Sequence, residues 1–241
     1  MDSIDKLNQI IKESNKIVFF GGAGVSTESG IPDFRSVDGL YNMEYDYPPE
    51  EILSNSFFRK NIKEFYKFYK DKMIVKGVKP NFTHYFLQKL EENGKLISVI
   101  TQNIDGLHTD AGNKRVLELH GSIKRNYCMK CKKFYDENYI LNCKDVPICS
   151  CGGVIKPDVV LYEEELNDNI MYNAIKDISE SDCLIIAGTS LTVYPAAGLI
   201  HYFEGKNIIL INKTKTNYDK YATMVFNENI SDVLRKIEIK K

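Results

Sequence analysis

The stretch VFFGGAGVSTESGIPDFRS, from Val18 to Ser36, joins an apolar run to a glycine-rich turn. The run begins at Ile17 and ends at Phe20, and three glycines follow within four positions. A short apolar run that stops at glycine predicts a buried parallel strand, and glycines directly after such a strand are typical of a loop that receives phosphates. Thr27 occupies the third glycine position of the fingerprint G-x-G-x-x-G, and no Gly-Lys-Ser/Thr follows, which excludes a P-loop. A plain strand-to-helix turn is the alternative.

The rest of the chain alternates between apolar runs and helical patterns. The predicted strands are Lys16–Phe20, Leu96–Gly106 with its trailing polar loop, Val116–Ser122, Asp182–Leu191 and Asn207–Thr214. The predicted helices are an opening amphipathic helix with Ile4, Leu7, Ile10 and Ile11 at helical spacing, then Thr83–Gly94, Asn167–Ile178 and Pro195–Gly205. This alternation predicts a parallel sheet covered on both faces, with ligands at the carboxyl ends of its strands.

Two stretches interrupt the alternation. Residues 37–79 are helical and rich in aromatic side chains, and residues 124–154 carry five of the six cysteines. We therefore predict an α/β fold in which residues 1–36, 80–123 and 155–241 form a Rossmann-like parallel-sheet domain. In this interpretation, residues 37–79 and 124–154 form a smaller inserted module with a helical part and a zinc-binding part.

Composition narrows the class of protein. Lys and Arg total 32 against 33 acidic residues, so the charge balance gives no reason to expect nucleic-acid or membrane binding. The first 14 residues are polar and helix-patterned, unlike a signal peptide, and no apolar run approaches the roughly 18–20 residues of a membrane span. We expect a cytoplasmic protein, in which cysteines are more often metal ligands, catalytic or buried than disulfide-bonded.

Four of the cysteines have metal-ligand spacing. Cys128 and Cys131 form a C-x-x-C pair, and after 17 intervening residues Cys149 and Cys151 form a C-x-C pair. Two close pairs predict a four-thiolate zinc site, which is structural because no coordination position is left open. Because C-x-x-C is the commoner second pair, Cys143 is an alternative ligand, and two unliganded pairs are the other interpretation. Cys183 lies in an apolar run and is predicted to be a core residue.

Four motifs together carry a family resemblance. The segments GAGVSTESGIPDFRS, TQNIDGLH, LELHGS and GTSLTVYPAA resemble the signature motifs of the sirtuins, the NAD-dependent protein deacylases, and they occur in the family's order. The likeness is to the bacterial-type catalytic core and runs from about Phe20 to Asn229. It implies a protein lysine deacetylase that transfers the acetyl group of acetyl-lysine to the ADP-ribose of NAD and releases nicotinamide. A mono-ADP-ribosyltransferase or NAD hydrolase using the same site is the alternative enzyme, and a non-catalytic NAD or ADP-ribose sensor is the alternative from another class.

The resemblance also assigns roles to residues. His120, which ends a predicted strand, corresponds to the general base, and an unperturbed histidine pKa of about 6.5 suits that task. Asp105 and the backbone of Ile104 are expected to hold the nicotinamide amide, Asn103 to order the pocket and Gln102 to bond the ribose. The further NAD contacts implied are Gly22, Ala23, Gly24, Thr27, Asp33, Phe34, Arg35, Gly188, Thr189, Ser190, Asn212, Lys213 and Ile230. Of the other histidines, His84 and His201 are predicted to be structural or surface residues, and His108, at the end of the Asn-Ile-Asp loop, is a residue that can pack or bond locally.

The substrate side of the resemblance rests on two segments. An acetyl-lysine peptide is expected to insert as an added β-strand between Val159, Val160, Leu161 and Tyr162 on one side and Val193 and Tyr194 on the other. The family usually has Phe-Gly-Glu where this chain has Tyr162-Glu163-Glu164. Sirtuins that prefer succinyl or malonyl groups carry a Tyr-x-x-Arg pair on a helix, and here the pair is Tyr66 and Tyr69. We therefore expect a preference for acetyl over succinyl groups and an apolar acyl channel formed by Tyr66, Phe68 and Tyr69.

Overall fold

The main sheet has six parallel strands. The computed structural model of the chain describes residues 2–33 and 47–239. The strands of this sheet are β1 (Ile17–Gly21), β2 (Leu96–Thr101), β3 (Val116–Glu118), β7 (Cys183–Ala187), β8 (Asn207–Ile211) and β9 (Met224–Phe226), in the spatial order β3-β2-β1-β7-β8-β9. Every neighbouring pair is parallel. This is the strand order of the doubly wound Rossmann fold, which confirms the predicted fold class. The short strand β9 was not predicted.

Alternate residues of the strands enter two separate cores. Ile17 and Phe19 of β1 pack in one hydrophobic cluster, and Val18 and Phe20 pack in the other, as the two-residue period of a strand requires. The first face is covered by α1 (Ser3–Glu13), α5 (Phe82–Glu92) and α9 (Ile230–Leu234), and the second by α8 (Asp168–Ser179) and a 3-10 helix over Ala196–Tyr202. Cys183 is fully buried in the first cluster, as predicted.

A second, smaller sheet lies beside the first. It contains β4 (Gly121–Cys128), β5 (Phe134–Tyr135) and β6 (Ile155–Val159), all antiparallel, in the order β5-β4-β6. A third hydrophobic cluster joins this sheet to the short helices α2 (Pro49–Ile52), α3 (Asn55–Lys60) and α4 (Ile62–Phe68), and it also includes a residue of α7 (Glu137–Asn142). A single π turn over Tyr69–Met73 continues α4. The predicted boundary at 123/124 falls within β4, and β6 begins directly after the predicted boundary at 154/155. The placement of the domain boundaries stays a prediction.

Two local expectations were wrong. The segment Val116–Ser122 is not one strand, because the chain leaves the main sheet after Glu118 and enters the smaller sheet at Gly121. Gly121 has φ +76°, and a Cβ there would lie 1.8 Å from the carbonyl oxygen of Asp158, so only glycine permits this crossing. The predicted helix from residue 195 is a 3-10 segment.

Among the described residues, no helix is long and apolar enough to span a lipid bilayer.

Two buried histidines pack against each other behind the main sheet's polar edge. His84 of α5 and His108 of α6 (Leu107–Asp110) have ring centroids 4.6 Å apart, and both are at most 2% exposed. His84 Nδ1 accepts a hydrogen bond from the backbone N–H of Asn81, which completes the cap of α5. Burial lowers the pKa of His84 to about 4 and holds the pKa of His108 well below its usual range. Both histidines therefore have the environment of structural residues.

This pair predicts acid sensitivity of the fold. Because both folded-state pKa values lie below the unfolded value of about 6.5, the folded protein binds fewer protons, and its stability falls as the pH falls from about 6.5 towards 4. The slope contributed by each histidine is at most about 1.4 kcal/mol per pH unit. Urea unfolding of the wild type and of His108→Gln across this range measures the effect. A free-energy difference between the two proteins that does not change with pH would contradict it.

Candidate active site

The loops that follow β1 and β7 touch backbone to backbone. The N–H of Gly24 donates to the carbonyl oxygen of Gly188 at 2.9 Å. A Cβ at Gly24 would lie 2.7 Å from Gly188 Cα, and a Cβ at Gly22 would lie 2.8 Å from the Gly188 carbonyl oxygen, so a side chain at either position would push the loops apart. Gly188 also has φ +62°, which favours glycine. The glycines thus leave no side chains at the point where the strand order reverses. A backbone surface without side chains suits a pyrophosphate that is held by backbone N–H groups.

A cleft of about 570 Å³ opens beside this contact. Gly22 belongs to the loop but does not line the cleft, and Phe34 and Arg35 lie outside the described residues. The cleft brings together most of the residues that the sequence assigned to NAD or to the peptide: Ala23, Gly24, Thr27, Asp33, Gln102, Asn103, Ile104, His120, Val159, Val160, Leu161, Tyr162, Gly188, Thr189, Ser190, Val193, Tyr194, Asn212, Lys213 and Ile230.

A second cavity of about 420 Å³ adjoins the first. Ala23, Met73, Asn103 and Ile104 line both spaces. Asp105 lines the second cavity but not the cleft. The segment after β2 therefore faces both spaces. This division matches a cofactor that spans the cleft and places one end group in the adjoining cavity.

A buried polar network fixes the residues after β2. Ser26 Oγ donates to Asp105 Oδ2 at 2.7 Å, and Asn103 Nδ2 donates to Ser26 Oγ at 3.1 Å. The N–H of Leu107 donates to the other Asp105 oxygen at 2.9 Å. Burial raises the pKa of Asp105, and the hydrogen bonds from Leu107 and Ser26 partly offset that rise. Both Asn103 and Asp105 are thus held in one orientation before any ligand enters.

His120 is placed as a neutral base. It lies between β3 and β4, and its Nδ1 is 2.9 Å from the carbonyl oxygen of Gln102. Because a carbonyl can only accept, Nδ1 carries the proton, and Nε2 is left with its lone pair. Burial lowers the pKa of His120, and the bond to Gln102 opposes that shift. The imidazole is therefore neutral at neutral pH, with Nε2 free to accept a proton, as a general base requires.

The side chain of the residue that directly follows β8 holds the loop after β7. Asn212 Oδ1 accepts from the N–H of Thr189 at 3.1 Å, and Asn212 Nδ2 donates to the Thr189 carbonyl at 2.7 Å. Gln102 Nε2 donates to Thr189 Oγ1 at 3.2 Å from the other side. Asn212 therefore positions the loop, and its contact with the adenosine ribose stays a prediction.

The four paired cysteines converge outside the cleft. Their sulfur atoms all lie within 4.8 Å of one another, with Cys128 and Cys151 at 3.5 Å and Cys131 and Cys149 at 3.6 Å. Sulfurs bound tetrahedrally at about 2.3 Å from zinc are about 3.8 Å apart, so the donor set fits this ion. Cys143 is not part of the cluster. Zinc held here pins β4 to the loop before β6 and supplies no catalytic chemistry, because four thiolates fill its coordination shell.

Several site residues were missed by the sequence analysis. Ser26 lies within the quoted glycine-rich motif, so its hydroxyl was a visible candidate. Leu53 and Met73 line the cleft from the helical insert, and no local pattern marks either of them. The predicted aromatic acyl channel is wrong in its residues, because Tyr66, Phe68 and Tyr69 pack in the core of the smaller module and line neither cavity.

The cysteine cluster predicts one zinc per chain. Removal of one thiolate leaves three ligands, so Cys131→Ser should lose the metal and the thermal stability of the smaller module, since structural zinc supplies on the order of 10 kcal/mol of folding free energy. Elemental analysis and a thermal melt measure both effects. Cys143→Ser is the matched control and should keep its zinc. A wild-type protein without zinc, or metal loss in Cys143→Ser, would refute the ligand set.

Comparisons with known proteins agree on one family. The model of the Sir2 family matches residues 22–195. An NAD-dependent protein deacetylase from Clostridium perfringens is 59% identical over 240 residues, covering 98% of both chains.

Two solved structures are similar throughout. A Sir2 protein with deacetylated p53 peptide and 3'-O-acetyl ADP-ribose superposes with a TM-score of 0.89 at 37% identity, covering 98% of this chain and 97% of that one. A Sir2 complex with p53 peptide and NAD+ has a TM-score of 0.87 at 37% identity, with the same coverage. On this similarity in sequence and fold, the chain belongs to the Sir2 family.

Proposed function

We propose that this chain is an NAD-dependent protein lysine deacetylase, which transfers the acetyl group of acetyl-lysine to the ADP-ribose of NAD and releases nicotinamide. The observation that carries the proposal is the placement of a neutral, oriented His120 in the same cleft as the glycine contact between β1 and β7. The relative from Clostridium perfringens is named for this activity, and the similar Sir2 structures hold p53 peptide with NAD+ or deacetylated p53 peptide with acetyl ADP-ribose. NAD, as a substrate, supplies the ribose that accepts the acetyl group, and one water molecule supplies the oxygen that replaces the acetyl oxygen taken by the sugar carbon.

His120 acts as the general base on a ribose hydroxyl. Its Nε2 is the available acceptor because Nδ1 is bonded to Gln102. The base is needed after the acetyl oxygen has joined the sugar, when a hydroxyl must lose its proton. The lowered pKa of His120 keeps the imidazole in its accepting form at neutral pH.

Asn103 and Asp105 serve the earlier step, the departure of nicotinamide. Asp105 lines the cavity that adjoins the cleft, and Asn103 lines both. In this proposal, Asp105 holds the carboxamide of nicotinamide, and Asn103 orders the space beneath the ribose. Ser26 links the two side chains, so the pocket is organised in advance.

The acetyl-lysine peptide enters the cleft as an added strand. The segments Val159–Tyr162 and Val193–Tyr194 line the same cleft on different elements, which supports a substrate backbone between them. Binding the peptide and NAD in one cleft brings the acetyl oxygen and the sugar together. A cytoplasmic location, and the lack of nucleic-acid and membrane partners, stay predictions.

Product analysis tests the activity. Mass spectrometry of the protein incubated with NAD and an acetyl-lysine peptide should find nicotinamide, the free-lysine peptide and acetyl-ADP-ribose in equal amounts. The matched reaction omits the peptide or replaces it with the unacetylated one. NAD consumption that does not need the acetyl group would favour an NAD hydrolase or ADP-ribosyltransferase instead.

The order of the two steps predicts a separation between variants. His120→Ala should lose deacetylation by about 10²-fold or more, yet retain acetyl-peptide-dependent exchange of labelled nicotinamide, because the base acts after nicotinamide has left. Asp105→Ala should lose both reactions. Exchange and deacetylation assays on the same preparations measure this. A folded His120→Ala protein without exchange would show that the assigned role is wrong.

A further inference from the structure

The outer wall of the cleft ends in a strained turn. The N–H of Glu164 donates to the carbonyl oxygen of Leu161 at 3.0 Å, which closes a β-turn with Tyr162 and Glu163 at its centre. Glu163 has φ +73°, while Tyr162 does not have a positive φ. A turn of this type normally carries glycine at the position of Glu163. All four residues line the cleft, so the strain lies directly in the proposed peptide-binding wall.

The Glu163 side chain compensates by bonding to the smaller module. Its Oε2 accepts from the backbone N–H of Ser56 at 2.8 Å, and its Oε1 accepts from the Ser56 hydroxyl at 2.9 Å. Ser56 lies in the first turn of α3, where backbone N–H groups have no acceptor within the helix. Glycine at this position would relax the turn but could not make either bond.

Two backbone hydrogen bonds also join this turn to the smaller module, next to the two bonds between Glu163 and Ser56. The N–H of Tyr162 donates to the carbonyl oxygen of Leu53 at 2.9 Å, and the N–H of Asn55 donates to the carbonyl oxygen of Tyr162 at 3.0 Å. The carboxylate of Glu164 accepts from Asn55 Nδ2, from Lys156 Nζ and from the N–H of Leu161. The acidic run Glu163-Glu164 is thus used internally, rather than offered to basic residues of a substrate.

We propose that Glu163 is a positioning residue for the peptide substrate. Its carboxylate braces the turn Leu161–Glu164 against α3 and so fixes the spacing and backbone orientation of the wall beside which the peptide strand lies. The brace rests on the proposed function, because it acts on the binding of the acetyl-lysine peptide. It touches neither the glycine contact nor His120, so it affects peptide binding and leaves NAD binding and the chemical step alone.

Peptide and NAD affinities measured separately test the brace. Glu163→Ala should raise the KM and the dissociation constant of an acetyl-lysine peptide about fivefold, the effect of losing a hydrogen-bonded carboxylate pair, with kcat and the KM for NAD unchanged. Glu163→Gly should do the same even though it relieves the turn strain. Ser56→Ala should weaken peptide binding in the wild type and have no added effect in Glu163→Ala. Glu165→Ala is the control for charge, because Glu165 is exposed and makes no hydrogen bond or ion pair with the described residues.

The outcomes separate the two proposals. If Glu163→Ala and Glu163→Gly both bound the peptide as tightly as the wild type does, the role of Glu163 as a brace would be overturned. A parallel loss of peptide affinity, NAD affinity and melting temperature would also overturn it, because that pattern indicates a general structural role. Failure of the wild type to deacetylate a peptide that it binds would contradict the proposed function, while the ratio of peptide affinities would still decide the role of Glu163.

Discussion

The close contact between the loops after β1 and β7 is the constraint on which the site depends. A Cβ added to Gly24 or to Gly188 would clash with the backbone of the other residue. The hydrogen bond between them joins the two loops at the point where the sheet reverses its strand order. This contact brings the first motif of the chain next to a motif about 165 residues later. The cleft begins there, and the residues after β2 and β8 complete it.

Burial gives the polar side chains of the site their chemical states. The same low-dielectric surroundings raise the pKa of Asp105 and lower the pKa of His120. Hydrogen bonds from fixed partners then select the orientation: Ser26 holds Asp105, and the Gln102 carbonyl sets the tautomer of His120. A neutral base and an anchored acid thus stand in adjoining spaces before a substrate binds.

The sequence predicted those parts of the fold in which local pattern and function coincide. Apolar runs ending at glycine gave the strands around β1 and β7, and cysteine spacing gave the four metal ligands, because both signals depend on neighbours in the chain. The crossing at Gly121 was not predictable, since it depends on the carbonyl of Asp158, 37 residues away.

Features that depend on tertiary packing were missed for the same reason. The three-residue strand β9 has too few residues for a recognisable period. Met73, the last residue of the π turn that follows α4, lines the cleft although no local pattern marks it. The bonds from Glu163 to Ser56 span 107 residues, and nothing at either position marks the partner. The aromatic run around Tyr66 was read as a channel, but rings of that size fill the core of a small module.

The affinity of Gly24→Ala for NAD, measured by isothermal titration calorimetry, tests the central claim most directly. A Cβ at Gly24 cannot fit against Gly188, whereas a Cβ at Gly198 would make an ordinary contact at 3.7 Å. If the glycine contact builds the NAD site, Gly24→Ala should bind NAD at least about tenfold more weakly, a loss of about 1.4 kcal/mol, and Gly198→Ala should bind as the wild type does. Unchanged NAD affinity in a folded Gly24→Ala protein would contradict the account.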